Sequence, residues 1–430
     1  MNYQECMKVL EEASFKRGIH MGLDSMRDLM AALGDPGLDL PAVHIAGTNG
    51  KGAAGAMLTS ILAHTSYRVG WYHSPAVYDP WEILCVDGKM ISPEEVAEGM
   101  TAILDTGIEA TAFEMQTGLA FWYFEKKHCD LIVLEAGLGG DEDATNVVRG
   151  TVCSLIMSVG LDHTGILGDT KEEIARHKAG IVRESVPCVV YPKNDISVLC
   201  TIRECCDAVH SKMIPGYIHS PWTPSIPGEH QSVNAGTVLK VAEVLNASGF
   251  TIPEEAVREG LREVHFPGRM ERLTIDGVTV YLDGAHNPDA VRALVRTLPL
   301  INHSGSSNGS EGKNSAPHDH GFICVMGVLE DKNYPQMLQT MLPAVSAFYP
   351  ITPDHPERAL TAEKLYQKAI EEAEELPEAH RPEIMQVRPL RETLEAAITQ
   401  AKKEERSIIV CGSFYNLALV RGVLNSIRTK

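Results

Sequence analysis

Val43-His44-Ile45-Ala46 runs straight into Gly47-Thr48-Asn49-Gly50-Lys51-Gly52, and an apolar stretch from Ala54 to Ala63 follows. The first run reads as a buried strand and the last as a helix, so the segment predicts strand, glycine loop, helix. Glycines let backbone amides turn toward a phosphate, the helix N-terminus adds partial positive charge, and a lysine reaches the outer phosphates. Only Thr48 and Asn49 separate Gly47 from Gly50, so the spacing is not the strict Walker pattern. A glycine turn with an incidental lysine is the bland alternative. Placement directly after a buried strand favours phosphate.

The same alternation continues on both sides. Leu131–Glu135, Val152–Ser158 and Pro187–Tyr191 read as further strands between helical stretches, which predicts an α/β fold with a mostly parallel sheet. The pattern resets at Phe266-Pro267-Gly268-Arg269. Leu273–Asp276 and Val278–Leu282 then read as a hairpin, Phe322–Met326 and Ser407–Cys411 as strands, and Phe414 to Ile427 as a closing helix. A domain boundary is therefore expected near residue 268, giving domains 1–268 and 269–430. Residues 302–320, polar and rich in Gly and Ser, read as a flexible insertion in the second domain.

Composition narrows the class. At 430 residues the chain has room for two domains of about 100–200 residues each. Hydrophobic residues at 44% and charged residues at 22% exclude wholesale disorder. Lys+Arg 38 against Asp+Glu 57 gives a net charge of −19, which argues against a general nucleic-acid or anionic-membrane surface while leaving room for a local basic pocket. No apolar run reaches the ~18 residues of a membrane span, and Met1 to Leu10 lacks a signal peptide's apolar core. The ten scattered cysteines form no Cys-x-x-Cys pair. A cytoplasmic chain with reduced thiols, acting as a monomer, is the expectation.

Three further segments carry chemistry. Glu135 ends an apolar strand and the glycine loop Ala136–Gly140 follows, so its carboxylate is placed to hold Mg²⁺ beside a phosphate site. Ser158-Val159-Gly160-Leu161-Asp162-His163-Thr164 also follows a strand; alone, His163 reads as a structural histidine. Lys178 lies near the end of a helix stopping at Gly180 and would ordinarily be a helix-end cation. Tyr281–Asp289 ends a strand and opens a helix at Pro288, as a binding loop does.

Taken in order, HIAGTNGKG, EAGLGGDEDATN, SVGLDHTGILGDTKEEIARHKAGI, GEHQSVNA, FPGRMERL, YLDGAHNPDA, VMGVLEDKN and GSFYNLALVR resemble the folylpolyglutamate synthase/dihydrofolate synthase family of the Mur ligase superfamily. The match runs from about residue 40 to residue 420. The resemblance implies a P-loop Mur-ligase central domain binding ATP and folate, and a smaller Rossmann-like C-terminal glutamate-ligase domain. It implies that ATP phosphorylates a folate or dihydropteroate carboxylate and that glutamate's amine attacks the acyl phosphate. By motif it assigns Thr48, Asn49, Gly50, Lys51, Gly52, Asn234, Arg269 and Asp283 to ATP, and Glu135 and His163 to Mg²⁺. Lys51, a carbamylated Lys178 and His286 would be catalytic, and Ser74, Pro75, Phe113, Glu114, Asp143 and Asn287 would meet the other substrates.

The chain departs from that pattern in three places. Ala53 stands where the family has Ser or Thr, a magnesium ligand; a water can take that position. Ala76 replaces a histidine in the Ser74-Pro75 loop, and Asp79, Ile83 and Cys85 occupy positions that are commonly basic. Asp141-Glu142 stands for Arg-Leu before the retained Asp143. These changes keep two other readings open: a ligase acting on a different carboxylic acid, and a nucleotide-binding protein with impaired catalysis.

Overall fold

The computed structural model describes residues 1–17, 22–302 and 321–428. They fall into two compact units, Met1–Ser225 with Gln231–His265, and Ile226–His230 with Phe266–Lys430. Of the expected insertion, residues 303–320 lie outside the described residues.

The first unit is built on eight strands: β1 (Ala42–Ala46), β2 (Val69–Tyr72), β3 (Leu84–Val86), β4 (Lys89–Met90), β5 (Leu131–Glu135), β6 (Thr151–Ile156), β7 (Cys188–Val190) and β8 (Met213–Pro215). Their order is β4-β3-β2-β5-β1-β6-β7-β8. β1 lies between β5 and β6 and is parallel to both. Every residue of β1 and β5 is buried, which is why both appear in the sequence as mainly apolar runs, broken only by His44 and Glu135, rather than alternating ones. Because β5, β1 and β6 are parallel neighbours, the loops after them leave the same sheet edge, where ligands collect in such folds. At the far edge β2–β3 and β3–β4 pair antiparallel. These strands are too short for a periodicity to reveal them.

The helix Lys51–Leu62 is buried on most of its faces, from Ala53 and Ala54 to Ile61 and Leu62. Its composition follows: small residues where backbone comes close, as at Gly55, whose added Cβ would lie 2.8 Å from Trp71 Nε1.

The second unit carries β9 (Glu271–Ile275), β10 (Val278–Leu282), β11 (Phe322–Met326), β12 (Ala347–Pro350), β13 (Glu383–Ile384) and β14 (Ser407–Cys411), in the order β13-β12-β11-β14-β10-β9. Only the β9–β10 hairpin is antiparallel. It turns at Asp276-Gly277, both at positive φ (51° and 85°), which Asp-Gly supplies readily. Val291, Leu294, Leu298, Phe348 and Leu365 form its core on one face. All ten cysteines are free. Among the described residues no helix is long and apolar enough to cross a membrane.

Candidate active site

Gly50, left-handed at φ 89°, opens the helix Lys51–Leu62 and leaves its first amides without intrahelical partners. A Cβ on Gly47 would lie 2.9 Å from Met157 Cβ, and one on Gly50 would lie 3.2 Å from Asn234 Oδ1. The loop is thus a backbone cradle with Asn234 beside it. Thr48 Oγ1 donates to Gly160 O (3.0 Å), and the Thr48 and Asn49 amides donate to Ser158 O (2.7 and 3.1 Å). These two residues join the cradle to the loop after β6.

Two lysines converge on one acceptor. Lys51 Nζ donates to Gly47 O at 3.0 Å and Lys178 Nζ donates to the same oxygen at 2.9 Å. Lys51 Nζ also lies 3.7 Å from Oε1 of the buried Glu135. Burial first, and the Lys51 charge second, pull the Lys178 amine down to about 7, against the opposing pull of Asp162 and Asp143. His163 is exposed and left-handed at φ 53°, its amide donating to Asp162 Oδ1 (3.0 Å). Among the described residues no group of three His, Cys, Asp or Glu side chains is arranged to hold a metal. Mg²⁺ takes one or two protein carboxylates and fills its shell with phosphate oxygens and water, so the buried Glu135 carboxylate beside Lys51 is compatible with that ion. Ala53 is buried, so a serine hydroxyl there would have to find room.

A network that the sequence reading missed fastens the Lys178 helix to the glycine loop. Asp141 N donates to His177 O (3.0 Å), and the Asp141 carboxylate lies 2.9 and 3.1 Å from His177 Nδ1. Asn146 Nδ2 donates to Asp141 O and Gly180 O, while Arg183 donates to Gly180 O and to Asn146. The approach is so close that a Cβ on Gly180 would fall 2.3 Å from Asp141 Cβ. Gly180→Ala is expected to lower stability by ~1–3 kcal/mol through overpacking, read as a drop in the thermal midpoint. A melting curve unchanged from wild type would contradict this contact.

Other expected residues also bond within the protein. Asp143 was expected to meet substrate, yet its carboxylate is buried and accepts Leu138 N (2.8 Å), Thr145 N (3.0 Å) and Thr145 Oγ1. Burial pushes its carboxyl above the usual range, and those hydrogen bonds hold it down. Glu114, likewise expected at substrate, accepts Thr111 N (2.7 Å) in a helix capping box and also the Ser25 hydroxyl. Asp143 gathers the amides of its own loop, and Glu114 caps its own helix and bonds Ser25. Phe113 does lie on the glycine loop, its ring 2.6 Å from where a Gly137 Cβ would be. In the loop of Ser74 and Pro75, Asp79 Oδ1 accepts Trp81 N (2.9 Å), and Glu82 gathers the amides of Val77, Tyr78 and Asp79. The acids of this loop are therefore turned onto its own backbone.

In the second unit, Asp283 accepts Met270 N (3.0 Å) and Ala285 N (2.9 Å); burial raises its carboxyl pKa against the pull of Arg269. The Arg269 guanidinium lies 4.5 Å from the Phe414 ring centre. His286 is 5.6 Å from the same ring, with Nδ1 2.8 Å from Gly284 O. Asn287 Oδ1 accepts Ala290 N (2.9 Å) and so caps the helix Pro288–Asn302. Phe414, which sequence reasoning left unassigned, is what brings Arg269 and His286 together.

A family model described as "Mur ligase, glutamate ligase domain" matches residues 268–414. The dihydrofolate synthase/folylpolyglutamate synthase of Bacillus subtilis is 34% identical over 388 residues, covering 82% of this chain and 85% of that protein. The Escherichia coli protein of the same description is 30% identical over 405 residues, covering 90% and 87%. Among solved structures, Escherichia coli FolC in complex with DHPP and ADP matches with a TM-score of 0.82 at 27% identity over 98% of each chain. A bifunctional folylpolyglutamate synthase/dihydrofolate synthase with Mn, AMPPNP and L-glutamate bound matches at 0.79 and 26% identity, covering 99% of this chain and 98% of that one.

Proposed function

The chain belongs to the dihydrofolate synthase/folylpolyglutamate synthase family and is an ATP-dependent glutamate ligase, and from that premise we propose how its own residues divide the reaction. The observation that carries the proposal is the convergence of Lys51 and Lys178 on Gly47 O, with Glu135 beside Lys51.

The amides of Gly50, Lys51 and Gly52 take the triphosphate, and the Lys51 ammonium turns from Gly47 O to the outer phosphates. Glu135 and His163 hold Mg²⁺, which when bound neutralises charge on the phosphates. The substrate carboxylate attacks the γ-phosphorus and ADP leaves, giving an acyl phosphate. The glutamate amine then attacks the acyl carbon and phosphate leaves, forming the amide. An amine drawn down to about 7 is about half neutral near that pH, and the neutral fraction of Lys178 can add CO₂ and lose a proton to become a carbamate. That converts one of two crowded cations into an anion which Lys51 can face. The family resemblance assigns Asn234, Arg269 and Asp283 to ATP, and His286 to the reacting phosphate and the incoming glutamate. Ser74, Pro75 and Phe113 line the pterin-bearing acid.

We favour a pteroate or folate as that acid over a different carboxylic acid. Asp79 and Glu82 are turned onto backbone amides of their own loop, which lessens without cancelling their repulsion of an anionic folate tail. We also assign the chain to the cytoplasm, where free thiols persist. The test is product mass after incubation with ATP, Mg²⁺ and glutamate, with dihydropteroate and tetrahydrofolate in separate reactions. A one-glutamate gain is expected in at least one. No gain in either, with ATP consumed when other acids are offered, would transfer the site to another substrate.

A further inference from the structure

The mechanism above makes no use of a polar chain buried beneath the phosphate loop. His44 lies fully buried in the middle of β1, with Nε2 2.8 Å from Thr145 Oγ1. The Thr145 hydroxyl gives its proton to Asp143 Oδ1, so it can only accept from His44, and His44 must carry its proton on Nε2. Burial, with the Arg183 charge nearby, holds that imidazole neutral by drawing its pKa down to about 3. Asp143 in turn gathers Leu138 N and Thr145 N, and the Gly137 amide also bonds to it. The loop after Glu135 is thus wrapped around one buried carboxylate, and the line from that carboxylate back to β1 runs through Thr145 and His44. A buried carboxylate is tolerated only when its acceptor sites are filled, so loss of one donor is felt by the whole loop.

We infer that His44, Thr145 and Asp143 form a positioning relay, which sets the loop following Glu135 against the strand that delivers the phosphate loop. The three act on the loop through the amides of Gly137, Leu138 and Thr145, and so on Glu135 beside it in the chain. The inference rests on the reading that Glu135 holds the metal at the triphosphate.

Thr145→Val removes the hydroxyl at nearly constant shape, and Thr145→Ser keeps it. Two readouts are taken on full-length protein: deuterium exchange of the peptide spanning residues 136–146 without ligand, and Mn²⁺ affinity by electron paramagnetic resonance in the presence of ADP. Thr145→Val should speed exchange and weaken Mn²⁺ binding by about 10-fold or more, as removal of outer-shell partners typically does, and Thr145→Ser should restore both. Turnover should show a raised KM for ATP·Mg with a smaller change in kcat. Wild-type exchange and wild-type Mn²⁺ affinity in a folded Thr145→Val protein would overturn the relay. If Thr145→Val does not fold, His44→Gln against His44→Leu decides by the same readouts, because glutamine retains a donor. Failure of the wild type to bind Mn²⁺ with ADP would instead sink the metal reading, while the exchange data still judge the relay.

Discussion

Lys178→Arg will lower ligation by about 10²–10³-fold while leaving the protein folded, the scale on which deleting one pre-organised electrostatic group acts. Lysine here is buried, bonded to Gly47 O, and pulled to about 7 chiefly by burial. Arginine keeps its proton in any protein environment and cannot form a carbamate. It would fix a second cation beside Lys51 where the chemistry calls for an amine that can change sign. The measurement is steady-state kcat in bicarbonate-containing buffer, and kcat within a few-fold of wild type would remove Lys178 from the reaction. The same shift has a stability consequence. The folded-state pKa of about 7 lies below the ordinary 10.5, so between those values the unfolded chain binds more protons. Stability therefore rises with pH across that window, and the penalty is complete below it. A Lys178→Met protein should lose this contribution, so that its denaturation midpoint changes less between pH 7 and 9 than that of the wild type.

Lys51→Ala should be comparably severe, about 10³-fold in kcat/KM for ATP, because it deletes the cation aimed at the developing phosphate charge. A second effect compounds the first. Lys51 is the leading charge that depresses the Lys178 pKa, so without it Lys178 holds its proton more firmly. The two lysines should therefore be non-additive, and the double variant Lys51→Ala/Lys178→Ala should lose far less than the product of the two single effects. Strict additivity would mean that the shared carbonyl does not couple them.

The parts of this protein that could be read from sequence are those in which local pattern and tertiary role coincide. β5, β11 and β14 have the expected bounds, Leu131–Glu135, Phe322–Met326 and Ser407–Cys411, because a central parallel strand must be apolar on both faces. The strand, glycine loop and helix around Lys51 were legible for the same reason. β2, β3 and β4 were not, since their pairing is made by neighbours rather than by their own period. Asp143 and Glu114 show a sharper limit. Their places in the motifs were legible, but the backbone donors that each carboxylate gathers are brought to it by folding and have no mark in the sequence. The His44 to Thr145 contact spans 101 positions, so no window along the chain could have shown it.

The Asp141–His177 pair bears on how such ligases are sorted. Asp141 is an acid where its relatives are expected to have a base, and a classifier that ranks chains by charge along this loop would file this one apart. Yet an imidazole stands within 3.1 Å of that acid, and the backbone of the two residues is also joined. The acid is met by a hydrogen-bonding residue 36 places away, on the helix that carries Lys178. Paired positions, rather than single columns, are the unit in which substrate preference should be inferred from this loop.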